Sequence, residues 1–132
     1  MKASVLSFRA AVAFVVAGMI WGLVMAISDD PSTMPAHAHL NLLGWVSLFL
    51  FGIYYRLHPW LEDAKSASVQ VWVWIIATII LSIGVALGHT GHAIGDPIAA
   101  LGSVIVLLDM LLFGWLVLGA EKKNQPASSP AR

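Results

Sequence analysis

Four apolar stretches, over residues 10–27, 38–57, 69–88 and 98–119, constrain this chain more than any motif in it. Each is long enough, at about 1.5 Å per residue, to cross a hydrocarbon core of about 30 Å. Backbone amides in such a core meet no water, so each stretch must satisfy itself as a helix. Together they take up most of a chain of 132 residues, 59% apolar and 11% charged, whose mean hydropathy is +0.85. The predicted fold class is an all-α membrane protein, with one domain, 1–123, of four transmembrane helices. A tail over 124–132, rich in Pro, Ser and Ala, is predicted to be disordered. The formal net charge is zero, and no nucleic-acid partner is expected. With no cysteine, disulfides, thiolate metal sites and thiol catalysis are excluded.

Charge placement orients the chain. With N and C termini both cytoplasmic, Lys2, Arg9, Arg56, Lys65, Lys122, Lys123 and Arg132 all lie inside. The outer loops, 28–36 and 88–97, then carry only Asp29, Asp30 and Asp96, as the positive-inside rule demands. The predicted location is a bacterial inner (cytoplasmic) membrane, crossed several times by a chain whose lipid partner is the bilayer itself. His37, His39, His89 and His92 fall on the periplasmic side, and only His58 falls inside. The first helix also has the basic start of a signal peptide, but its apolar run exceeds the usual h-region of about 7–15 residues. It is read as a retained helix.

Within the spans, Gly18 with Gly22 and Gly84 with Gly88 fit the small-xxx-small pattern that lets helices approach closely in lipid. Tyr54, Tyr55, Arg56 and Trp60 form an aromatic and basic belt in which His58 reads as a polar interface residue. Asn41 stands one turn after His37, placed to orient its ring. Ser47 and Ser82 are expected to bond back to their own helices. Asp109 lies near the middle of the last span, where a carboxyl is either functional or paired inside the bundle. The sequence does not name its partner.

Imidazoles are costly at the mouth of a membrane helix, and His37-Ala38-His39 puts two there. At about 100° per residue, their rings point to opposite faces of one helix. Residues His89 and His92 share a face only if their segment is helical, and the glycines at 88, 91 and 95 make a turn equally compatible. Haem chemistry needs axial imidazoles and a flat apolar slot, for which Gly44, Trp45, Phe49, Phe51 and Gly52 are candidates. A bis-histidine haem would take its second ligand from His89, from His92 or from another copy of the chain. A copper or zinc site would draw on His37, His39, His89, His92 and Asp96. A non-catalytic interaction subunit would bind neither.

The run His37-Ala38-His39-Leu40-Asn41-Leu42-Leu43-Gly44-Trp45, with Phe51-Gly52-Ile53-Tyr54-Tyr55 and Pro59 after it, resembles the His-x-His helix of the catalytic subunit of haem–copper oxidases. The likeness is strongest to the cb-type and nitric-oxide-linked branch and covers about 24 residues, 37–60. In that family the first histidine ligates a high-spin haem and the second a low-spin haem on the opposite face. The resemblance implies that His37 and His39 hold haem b iron, with Asn41, Gly44 and Trp45 around it and His89 and His92 in reserve. The family's twelve helices form three arcs of four, so a homotrimer of this chain would rebuild the outline. Haem would then sit between one protomer's His37 and a neighbour's His39. The chain lacks the family's three-histidine copper site and outer arginine pair. The expected function is therefore a cytochrome b-like protein that transfers electrons from a respiratory donor or binds a small gas, with oxidoreductase activity left open. The alternative is a copper- or zinc-binding membrane accessory or assembly protein.

Overall fold

The computed structural model describes residues 1–124, and all regular structure in them is helical. Helix α1 spans Ala3–Ser28, α2 Met34–His39, α3 Leu48–Leu57, α4 Pro59–Glu62, α5 Lys65–His89 and α6 Gly95–Asn124. A π-helical segment, Leu40–Ser47, joins α2 to α3 without a break, so the two form one long helix. Four helices are long and apolar enough to cross a membrane: Ala3–Ser28, Met34–Leu57, Lys65–His89 and Gly95–Ala120. Apart from Asn124, which ends α6, the expected tail lies outside the described residues.

Local chemistry sets the ends. Helix α1 stops where Asp29 turns left-handed (φ 52°) and its amide bonds the Met25 carbonyl. Pro35 occupies the first turn of α2, where a missing N–H costs nothing. His58, held out of the helical region before Pro59, ends α3, and Pro59 opens α4. Gly91, at φ 84°, turns the chain between α5 and α6.

In lipid, helices associate through close packing and hydrogen bonds rather than through exclusion of water. Here they pack largely in sequence. Helix α1 lies against the π segment and α3, this long helix against α5, and α5 against α6, with a smaller contact from α1 to α5. Two kinds of glycine contact hold them. Between α5 and α6 the backbones meet: a Cβ on Gly84 would run into the Ala99 backbone, and one on Gly102 would lie 2.6 Å from the Leu81 amide nitrogen. Between α1 and its neighbour, rings fill notches instead. A Cβ on Gly44 would sit 2.6 Å from Phe14 Cγ, and one on Gly52 would sit 2.7 Å from Phe8 Cε1. The centre is filled by Leu48, Phe51, Tyr55, Val71 and Trp74, with the Phe51 ring 4.9 Å from Trp74 and 4.4 Å from Phe113.

A π turn disturbs the usual carbonyl bonding, and two side chains take up the slack. Ser47 Oγ donates to the Leu42 carbonyl, five residues back, at 3.1 Å, and Trp74 Nε1 donates to the Leu43 carbonyl at 2.9 Å. Ser47 thus bonds to its own helix, while the Ser82 hydroxyl is buried without a partner, contrary to expectation.

At the end of the bundle that carries the N-terminus, buried Glu62 accepts a hydrogen bond from Ser4 and an ion pair from Lys2 at 3.1 Å, with Arg56 at 3.6 Å. The Ser4 hydroxyl, more than Lys2 or Arg56, holds the Glu62 carboxyl below its ordinary range against the opposing effect of burial. This clasp ties α4 to the start of α1, which is why α1 begins well before the apolar stretch at residue 10.

Candidate functional site

The α2 helix turns its two histidines into different clefts. His37 faces α1, where a Cβ on Gly22 would come within 3.0 Å of its Cε1. One turn along, the Asn41 amide fills the space above Gly18. Asn41 Nδ2 donates to the His37 carbonyl at 2.9 Å and lies 3.3 Å from the ring Nε2. The Gly18 and Gly22 pair therefore makes room for two polar side chains, not for bare backbone contact.

His39 points the other way. Its Nδ1 lies 2.7 Å from the Pro35 carbonyl, and a carbonyl can only accept, so Nδ1 carries the proton. That tautomer leaves the Nε2 lone pair open to a metal, with the ring fixed from behind. Beside the ring runs a groove of about 440 Å³ between the long helix, α5 and α6, walled by Leu42, Leu43, Trp74, Leu81, Val106, Leu107 and Met110, with Ser103 its other polar residue. His37 borders a separate cleft of about 390 Å³ between α1 and α2.

The groove at His39 fits one face of a haem: an apolar wall meets an imidazole of the right tautomer. The other residues expected around the haem lie elsewhere. Gly44 faces α1 beneath Phe14, Gly52 is filled by Phe8, and Phe51 is locked in the core. Trp45, 43% exposed, lies on the outer surface beside Phe49. The structure does not bring these five together as one slot.

His89 and His92 do not share a helical face, because α5 ends at His89 and His92 follows the turn at Gly91. The His89 Nδ1–H donates to the Val85 carbonyl at 2.9 Å, and His92 Nδ1 lies 3.1 Å from Thr90 Oγ1. Among the described residues no three histidine, aspartate or glutamate side chains gather to hold a metal ion. His58, its Nδ1–H on the Tyr54 carbonyl at 2.8 Å and its ring stacked on Tyr54 at 4.2 Å, sits where α3 ends.

Asp109 has its partner in Gln70. The Tyr55 hydroxyl donates to Gln70 Oε1 at 2.7 Å, and Gln70 Nε2 donates to Asp109 Oδ2 at 2.6 Å. All three side chains are buried, and Asp109 Oδ1 has no partner. Sequence reasoning missed Gln70 and the inward role of Tyr55. The available signal was a lone amide at the start of an apolar stretch.

Compared with known proteins, the chain matches no family model, no curated protein and no solved structure.

Proposed function

We propose that this chain is a haem b-binding, cytochrome b-like protein of a bacterial inner membrane, akin to one arc of the haem–copper oxidase catalytic subunit. The observation that carries the reading is His39: a ring whose Nδ1–H is fixed on the Pro35 carbonyl, beside an apolar groove. A haem held there would supply electron transfer from a respiratory donor or the binding of a small gas. His39 would hold the iron through Nε2, while Trp74, Leu81 and Val106 would exclude water from the groove. His37 does not reach this groove from its own chain, since it is packed into the α1–α2 cleft. The groove is open on its lipid side, which a second copy would cover, in keeping with a homotrimer.

The test is the oxidised and dithionite-reduced absorption spectrum of the purified protein, repeated for His39→Ala and His37→Ala. A Soret band with sharp reduced α and β bands, lost in His39→Ala and kept in His37→Ala, is the expected result. A featureless spectrum from protein made in haem-replete cells refutes the proposal. The copper or zinc alternative through histidines alone has no gathered donor set among the described residues to support it.

A further inference from the structure

We propose that the cleft between α1 and α2 is a copper(I) site formed by Met25, Met34 and His37. All three line the same cavity of about 390 Å³, together with Asp29. They converge for reasons written in the local structure. Met34 and His37 are three residues apart on α2 and so share a face. Met25 lies three residues beyond Gly22 on α1, on the face that Gly22 clears for the His37 ring. Met25, which lines the cleft, is 7% exposed, while Met34, 50% exposed, stands at the mouth.

The donor set selects the ion. Thioether sulfur is soft and suits copper(I), and imidazole suits copper as well. Zinc draws on imidazole, thiolate and carboxylate and makes no use of thioethers, so two methionines turn the preference away from it. Three neutral ligands leave a monovalent ion with its full charge. The Asp29 carboxylate, on the same cleft, offsets it, and the Asp29 amide is tied to the Met25 carbonyl. Asn41 Nδ2 lies 3.3 Å from His37 Nε2 and 3.4 Å from Nδ1, and as a donor it competes for the ring's one lone pair, so copper(I) binding would turn this amide away. The site is independent of the haem reading, because His39 opens on a different groove.

The experiment is an anaerobic titration of the full-length protein in detergent with copper(I), in competition with a chromophoric copper(I) chelator. One copper(I) per chain is expected, with sulfur in the X-ray absorption spectrum. Met25→Leu and Met34→Leu keep side-chain volume. Each should weaken binding by more than the roughly 10- to 100-fold that outer-shell partners alone contribute. His39→Ala should leave copper affinity unchanged while removing any haem spectrum, so the two readings fail separately. An unchanged affinity in the Met25→Leu, Met34→Leu double variant, or a coordination shell of nitrogen and oxygen only, overturns the proposal and returns both methionines to gap filling.

Discussion

Gln70→Leu tests whether the polar chain buried between the helices holds them together. Gln70 is fully buried and joins three helices, accepting from Tyr55 on α3 and donating to Asp109 on α6. Leucine nearly keeps its volume but removes both bonds. Interhelical hydrogen bonds in membranes average about 0.6 kcal/mol and reach about 1.7, so the two bonds contribute about 1–3 kcal/mol. The orphaned Tyr55 hydroxyl and Asp109 carboxyl then carry part of a desolvation penalty of about 1–3 kcal/mol each, softened by whatever water or new partner they find. We expect a total loss of about 2–4 kcal/mol. Asp109→Leu should cost less, because it also removes Oδ1, which has no partner already. The triple variant Tyr55→Phe, Gln70→Leu, Asp109→Leu should regain most of the loss, since replacing all partners by apolar groups leaves nothing unsatisfied. Reversible unfolding in mixed micelles measures each variant. If Gln70→Leu stays within about 0.5 kcal/mol of the parent, or the three changes simply add, the chain does not bind the helices and the reasoning fails.

The two kinds of glycine contact should respond differently. Gly44→Ala meets the movable Phe14 ring and should cost about 1–3 kcal/mol, whereas Gly102→Ala meets the Leu81 backbone and should cost more in the same unfolding assay. The Glu62 clasp predicts a pH dependence. A carboxyl held below its ordinary 4.5 adds stability above that value, and the stability is lost as pH falls through the lower, folded-state value. Glu62→Gln should therefore flatten the acid limb of a stability profile below about pH 4.5 and leave its slope near neutrality unchanged. Trp74→Phe removes the donor on the Leu43 carbonyl and should speed amide hydrogen exchange within Leu40–Ser47 more than in α6.

The four spans were legible because hydropathy alone enforces them. Their ends were not, because polar residues such as Ser4 and Ser7 continue α1 while lowering the apolar signal, and both are buried. The opposed faces of His37 and His39 follow from spacing within one short α-helical stretch, where the arithmetic holds. The slot expected from Gly44, Trp45, Phe49, Phe51 and Gly52 rested on residue type along the helix, with no face assigned to each. A π turn takes more residues than an α turn, so faces read across Leu40–Ser47 drift out of phase. Nothing in its composition announces the change. Gly18 and Gly22 were visible as a small-residue pair, but that Asn41 and His37 fill the space depends on how α1 meets α2.

The π segment also bears on how relatives of this chain would be recognised. A helix that holds one residue more than its α-helical equivalent can lose it with little movement at either end, so His39 and Tyr55 would keep their places in a chain one residue shorter. The aligned sequences would then need a gap in the middle of a membrane span, where gaps are least expected. A residue-by-residue comparison of the long helix would fall out of register at Leu40–Ser47, just after the histidine pair. Comparing the stretches before and after that segment separately restores the register.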